Sequence, residues 1–536
     1  MFYLTEYNTT DIFLEVRDYL DIPHVAVTND DDEVHYIPYE IGNIITYEAD
    51  YQLEEVTYAD EEGLHVNAFK GSDGNQLTIT SHTFSNGVGT IEFNDDVAVI
   101  TDYAFYGSSD MTSVDLPRSI ESIGANSFAN CVSLSGIDIP LKTKYILTNA
   151  FYGCSGLTEV VIPNRVEQIR DGAFRSCSGM TALTIGEYVT EIGDTAFSGC
   201  SGLKNITFHS KTIKPWFSAN TSISSITISD KVKIVSSNAF IRCGGLKDVT
   251  IEDSSEQLMF NGYCFATLDP FVVPIETMYI GRRYEIPIPS TQYQFGPFSH
   301  LSSLKTLTIG ENFTNAQYES NPFSESIASL KEVYAYQSRI GVWFSGATSL
   351  SSVTIGDKVT TILSSAFSDC SAIKRVNISD LDAWCKITFG SYDANPTYYS
   401  KRLYLNGVEV SSVDMPSGIT SVNQYVFYGC SGLTSVTIPN SVMSIGSYAF
   451  RYCRGLTSVT IGSGTTSIGA RAFNGCSGLT NITCAAMTAP TIASNTFQTV
   501  KTGGILYVPS GSSGYDVWMQ ETNYYLGLYG WTKVEQ

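Results

Sequence analysis

The chain has 536 residues, 43% of them hydrophobic, and a formal net charge of −23. That charge excludes a nucleic-acid partner, because a phosphate backbone demands a basic footprint. No apolar run reaches the ~18 residues of a membrane-crossing helix, so membrane insertion is not expected either.

Residues 1–65 carry 17 Asp and Glu against one basic residue, Arg17, and so hold −16 of the −23. The asymmetry marks a separate acidic module at 1–80. Its first residues, Met1 to Glu6, show no basic segment followed by an apolar stretch, so no export signal is legible there. A short helix is predicted over 11–20. The runs His24-Val25-Ala26-Val27 and Val34-His35-Tyr36-Ile37 flank Asn29-Asp30-Asp31-Asp32-Glu33, which predicts a hairpin with a solvated acidic tip. That run lacks the alternating ligands and closing Glu of a calcium loop, so no metal is assigned to it. A solenoid needs a cap over its first open coil, and residues 82–99 are expected to begin that closure. The module exceeds a minimal cap, which suits attachment or self-association.

From 81 to 498 the chain repeats. Phe105, Phe128, Phe151, Phe174 and Phe197 recur in steps of 23, and the period returns from Phe217 to Phe240, from Phe344 to Phe367, and through Phe427, Phe450 and Phe473. With weaker anchors the count is about sixteen coils, so one elongated body replaces the several domains that length alone would suggest. In the fullest copy, residues 430–450, Leu433, Val436 and Ile438 make an inward-facing strand, and Pro439, which cannot donate to a ladder, ends it. Val442 and Ile445 form a second inward pair, Gly446 permits a tight bend, and Phe450 plugs the return side. So short a repeat leaves no room for a strand plus a long helix. Stacked coils give a parallel sheet at ~4.8 Å spacing over one shared core. The predicted fold class is a β-rich solenoid, a right-handed leucine-rich-repeat superhelix with N- and C-terminal caps.

Nine of the 12 cysteines fall three residues after an anchor, from Cys131 to Cys476. Other coils place Ser108, Asn220, Leu301, Ser326 or Ala347 there, a tolerance that a bridging framework would not show. The cysteines therefore read as buried apolar plugs, and a spacing of 23 is wrong for zinc. Six scattered histidines form no His-Glu-x-x-His pair, and there is neither a Gly-x-Ser-x-Gly elbow nor a phosphate loop. No catalytic residue, cofactor or metal is assigned, although two carboxylates of a glycosidase need only converge in space.

Two segments break the repeat. Residues 252–300 bring Tyr263, Tyr279, Arg282, Arg283, Tyr284 and Tyr293; residues 380–406 bring Trp384, Tyr392, Tyr398 and Tyr399. Regular coils face outward mainly with Ser and Thr, such as Thr434, Thr437 and Thr457, whereas Tyr, Trp and Arg are the usual anchors of an interface. The two segments are therefore the candidate ligand-binding sites. The competing reading is that these aromatics patch the core where the repeat is interrupted, Trp384 above all. In the last segment, 499–536, Gly504 to Pro509 reads as the final strand, 513–525 as a helix, and Trp531 as a lid on the last coil.

The rows Leu-x-x-Val-x-Ile-Pro-x-x-Val-x-x-Ile-Gly-x-x-Ala-Phe-x-x-Cys, clearest at 150–200 and 426–476, resemble the BspA-like leucine-rich-repeat family of bacterial surface proteins. The stretch from Asp380 through Trp384 and Asn395-Pro396 to Asn406-Gly407 is similar to a longer variant of that repeat. The resemblance implies adhesion: a non-enzymatic recognition protein whose partner is a protein or glycan on a host or cell surface, found outside the cell or on its envelope. Two alternatives stay open. One is a virion appendage such as a phage fibre, attached through residues 1–80; the other is a carbohydrate-active enzyme.

Overall fold

The computed structural model describes residues 43–50, 69–262, 264–265, 273–285, 298, 301–313, 323 and 327–536, with further backbone strands between 14 and 67. It divides into two compact units, 1–212 and 213–536. Each is a stack of β-coils, about eighteen turns in all. Sixteen were expected because turns without a phenylalanine escape the count. The turn ending in Thr532–Glu535 is one, and it pairs in parallel beyond Ile505–Val508.

In the first unit the cap is antiparallel. Ile44–Glu48, Ile79–Ser85 and Val88–Phe93 form a sheet around buried Ile45, Tyr47, Ile91 and Phe93. Ile44–Glu48 also pairs with Ser113–Asp115, at the strand position of the first full coil, and Phe69–Lys70 pairs with Val99–Ile100. Both edges left open by the first coil thus receive an antiparallel partner, which removes the exposed ladder that would otherwise recruit other chains. Residues 82–99 do contribute to this closure. The hairpin around the acidic run is present, with Pro23–Thr28 antiparallel to Val34–Pro38; the tip itself lies outside the described residues. Leu14–Arg17, in the middle of the helix expected over 11–20, is instead a strand on that hairpin, because Leu14-Glu15-Val16-Arg17 alternates with period 2; the rest of that span lies outside the described residues.

Each regular coil contributes a strand of three or four residues and a second of two. In the second unit Val436, Val459, Ile482 and Leu506 lie in register, as do Ile445, Ile468 and Ile492. Leu433, Val436, Ile438, Val442, Ile445 and Phe450 are all buried, as the pattern required. The anchors form columns of rings: Phe105, Phe128, Phe151, Phe174 and Phe197 stack at 5.0–5.4 Å in the first unit, and Phe427, Phe450 and Phe473 at 5.2–5.5 Å in the second. On either side of most anchors the backbone enters the left-handed region, two residues before (Asn126, Asn149, Asn238) and two residues after (Gly107, Gly153, Gly199). Asn and Gly are the residues that tolerate this conformation best.

The twelve cysteines are unbridged and buried. Their regularity has a cause beyond volume. The Sγ of Cys131 points at the carbonyl of Phe105 at 3.1 Å, Cys177 at that of Phe151 at 3.1 Å, and Cys476 at that of Phe450 at 3.2 Å. Each anchor carbonyl already accepts the N–H three residues on, so the thiol of the next coil occupies its second lone pair. Burial pushes the Cys243 thiol up to about 11 and those of Cys370 and Cys430 up to about 12. Thiolate is the reactive form. Cys200 is an exception, lowered by its hydrogen bond with Cys177, but it is buried like the rest, so native protein is expected to leave all twelve unlabelled by a maleimide at pH 7. Twelve labels should appear on denaturation without reductant. Mass spectrometry that finds inter-coil bridges, or rapid native labelling, would overturn this.

Threonine forms a second ladder that pattern reading missed. The hydroxyls of Thr457 and Thr480 donate to the carbonyls of Thr434 and Thr457, one coil back, at 2.9 and 3.2 Å. Thr434 and Thr457, read as outward-facing, spend their hydroxyls inside the stack. At the C-terminus the helix over 513–525 is replaced by two single 3-10 turns, Tyr515–Val517 and Leu526–Tyr529, since Gly514, Asn523 and Tyr524 hold positive φ. Trp518 packs on Phe497 at 5.3 Å, and Trp531, nearly buried, donates its indole N–H to Lys501 O at 2.7 Å.

Candidate ligand-recognition site

The interruption at 252–300 is built into the sheet: Asp248–Phe260 runs for 13 residues and pairs in parallel with the nine-residue Thr277–Glu285. This lengthening draws two of the candidate residues inward. Arg282 is fully buried and donates to Asp230 O at 3.0 Å and Ser229 O at 2.7 Å, tying its strand to an earlier coil. Tyr284 is buried among Phe260, Phe298 and Phe313. Neither is available to a partner; strand parity, which places Met278, Ile280 and Tyr284 inward, could have shown this for Tyr284. Arg283 is half-buried, and Tyr263 and Tyr293 lie outside the described residues.

Tyr279 stands on the outward face. The register carries it across the sheet in one row, through Thr308, Tyr334, Thr354 and Asn377 to Tyr404. At ~4.8 Å per strand, Tyr279 and Tyr334 are ~10 Å apart and Tyr334 and Tyr404 ~14 Å apart. All three are half-buried. Each is oriented by a neighbour. Tyr279 donates to the Asp253 carboxylate, and burial together with that carboxylate raises its pKa. Tyr334 donates to Glu332 at 3.3 Å, and the Arg375 guanidinium lies 4.4 Å from the Tyr404 ring centroid while donating to Asn377. Tyr334 and Arg375 were not singled out in the sequence. They occupy the outward positions of otherwise regular Val-x-Ile-type strands, and aligning those strands would have exposed them.

The segment 380–406 is bolted down from within. Asp380 caps the short helix Leu381–Lys386 by accepting from Asp382 N and Ala383 N. Trp384 is buried and donates to Val426 O at 3.1 Å, and buried Asn395 donates to Tyr425 O at 2.8 Å and to Val426 O at 3.1 Å. Trp384 therefore patches the core. Tyr392, Tyr398 and Tyr399 remain outside and are brought together: Tyr392 to Tyr398 at 5.2 Å and Tyr398 to Tyr399 at 4.8 Å, both edge-on. Tyr392 is 47% exposed, and the Tyr399 hydroxyl accepts from Asp369 N at 2.8 Å.

Among the described residues no group of three or more His, Cys, Asp or Glu is placed to hold a metal ion, and no helix is long and apolar enough to cross a membrane. What the fold defines is a parallel-sheet leucine-rich-repeat solenoid with one outward face interrupted by tyrosine. The family described as BspA type leucine rich repeat region matches in six copies over residues 77–179, 144–272, 282–392 and 397–511, and the chain belongs to that family. Solved structures similar to it include a leucine-rich repeat protein from Bacteroides ovatus, 20% identical, covering 81% of this chain and 94% of that one with a TM-score of 0.30. A leucine rich cell surface protein from Faecalibacterium prausnitzii is 18% identical, with 90% and 95% coverage and a TM-score of 0.21. The pneumococcal vaccine antigen PcpA is 14% identical, with 85% and 99% coverage and a TM-score of 0.26. No curated protein matches the chain.

Proposed function

We propose that this chain is a non-enzymatic recognition protein, acting outside the cell or on its surface, that binds a protein or glycan of a cell surface across its parallel sheet. The observation that carries the reading is the row Tyr279–Tyr334–Tyr404. Regular coils present Thr at this position, as at Thr227, Thr250 and Thr354, and small hydroxyls supply little contact area. Tyrosine offers a large, rigid surface with a polar tip at low conformational cost. Family membership in a repeat class built to expose an extended face supports the same role. Residues 1–80, which hold most of the negative charge, are in this reading the end that attaches or self-associates.

The test is binding of full-length protein to a glycan array and to intact cells, with Tyr279→Ala, Tyr334→Ala and Tyr404→Ala alone and together. The triple variant is expected to lose at least ~10-fold in affinity, the scale of one interface hot spot, with its unfolding curve little changed. Undiminished binding by the triple variant sinks the assignment.

A further inference from the structure

A second surface lies away from the strand row, along the turns that flank the anchors Phe427, Phe450 and Phe473. There the left-handed positions are filled against the usual preference. Where most other coils place Asn, Gly or another short side chain, with Arg242 an exception, this stretch has Tyr425 (φ 66°), Tyr448 (φ 63°), Tyr452 (φ 63°) and Arg471 (φ 55°) beside Gly429 and Gly475. A bulky side chain is disfavoured in this conformation, and such outliers gather at functional sites. Within the described residues the one other tyrosine at an equivalent position is Tyr103, in the first coil.

These side chains build a continuous patch with the tyrosines of 392–399. Tyr425 stacks on Tyr448 at 5.3 Å, and buried Tyr428 backs the patch from beneath, meeting Tyr452 at 5.8 Å and Tyr398 at 5.7 Å. Cations thread the rings. The Arg451 guanidinium lies 4.5 Å from the Tyr452 centroid, Arg471 lies 5.7 Å from that of Tyr448 and donates to its hydroxyl at 3.0 Å, and Lys401 Nζ lies 4.6 Å from that of Tyr398. Arg454 flanks Tyr452 at 6.0 Å. Several cations elsewhere are paired with carboxylates, as in Lys144–Glu121, Lys305–Glu276 and Arg402–Glu409. Lys401, Arg451, Arg454 and Arg471 make no ion pair among the described residues. Lys401 is instead held below the usual lysine range by partial burial and by the positive charge of Arg454. Four cations without a carboxylate partner, gathered among tyrosines, give this edge a local excess of positive charge.

We propose that this turn edge binds an anionic saccharide, one bearing carboxylate or sulfate groups. The rings offer flat faces for sugar C–H groups at intervals set by the coil spacing, and the guanidinium forks offer paired donors to carboxylate or sulfate. The patch is mainly phenol and guanidinium, without the fully desolvated apolar centre that anchors a protein partner.

Affinity electrophoresis and calorimetry of the full chain with polygalacturonate, dextran sulfate, neutral dextran and poly-L-glutamate test this. Binding to polygalacturonate or dextran sulfate is expected, weakening with salt, and neither neutral dextran nor poly-L-glutamate should compete. The two anionic polymers distinguish carboxylate from sulfate. The informative variant is Tyr448→Asn/Tyr452→Gly, which restores residues that other coils use. It should bind at least ~10-fold more weakly yet melt at the same temperature or higher, because the disfavoured backbone is relieved. Arg454→Gln/Arg471→Gln should also lose binding. A lower melting temperature with binding intact would make the tyrosines structural and overturn the proposal. Equal binding of poly-L-glutamate would assign the patch to acidic peptides, and failure of both anionic polymers would refute it. Tyr334→Ala, which lies in the strand row, should leave this binding unchanged, so the two sites stand or fall separately.

Discussion

Replacing Phe450 with alanine is expected to cost about 3–5 kcal/mol, the usual range for emptying a buried phenylalanine site. The ring is fully buried, with Phe427 at 5.5 Å and Phe473 at 5.2 Å on its two faces. Those rings are held by their own coils, whose strands are fixed in register, so neither can slide in to fill the void. The loss should be local at first, because stability in a stack of repeats is a sum of coil terms and nearest-neighbour terms. Hydrogen exchange should therefore show lost protection for amides of 427–484 before those of the strands Ser352–Ile355 and Arg375–Ile378 respond. A variant with unchanged melting and exchange would show that the ring column does not hold the coils together. Phe174→Ala, stacked between Phe151 and Phe197 at 5.0 and 5.4 Å, should behave likewise within the first unit.

Most of the fold was legible because a 23-residue coil repeats one physical solution many times. The inward Leu, Val and Ile positions and the phenylalanine plugs follow from period and parity alone, and the structure buries them as read. What escaped were interactions between coils, whose partners lie 23 to 26 residues apart. Nothing local in Cys177 or Thr457 reveals that its sulfur or hydroxyl satisfies a carbonyl one turn back. The candidate site was half legible for the same reason. Composition flagged 252–300 and 380–406 as rich in Tyr and Arg, but composition does not distinguish Tyr279, on the outward face, from Arg282 and Tyr284, buried three and five residues later. Tyr448 and Tyr452 were passed over because they stand inside a coil that otherwise matches the repeat. Only the backbone shows that they occupy positions better suited to Asn or Gly.

Gly446 gives the second large expected effect and adds to a sequence reading. The tight bend is there, with Gly446 O accepting from Ala449 N at 3.3 Å, yet the φ of Gly446 is not among the positive values, so the turn by itself does not demand glycine. The glycine is needed for approach. Its N–H donates to Val422 O at 2.7 Å, which pulls the two coils together. A Cβ added there would lie 2.7 Å from Gln424 N, 2.8 Å from Val422 O and 2.9 Å from the Asn423 carbonyl carbon. All three atoms are backbone, so no side chain can rotate away; the coil must shift or the hydrogen bond must lengthen. Gly446→Ala is therefore expected to destabilise by at least ~1–3 kcal/mol, the range for overpacking a close contact. Gly469, whose added Cβ would fall 2.5 Å from Ser447 N, should respond in the same direction. Gly418 is the internal control, for it has open space around the missing Cβ and no positive φ. There alanine is expected to be neutral or to stabilise by ~0.4–1 kcal/mol, by restricting the unfolded chain. Urea unfolding of the three variants, with midpoints and slopes compared, decides the matter. Equal midpoints for Gly446→Ala and Gly418→Ala would mean that the coils are not in contact at Gly446 in solution, and that the repeat's glycine serves the chain's bend after all.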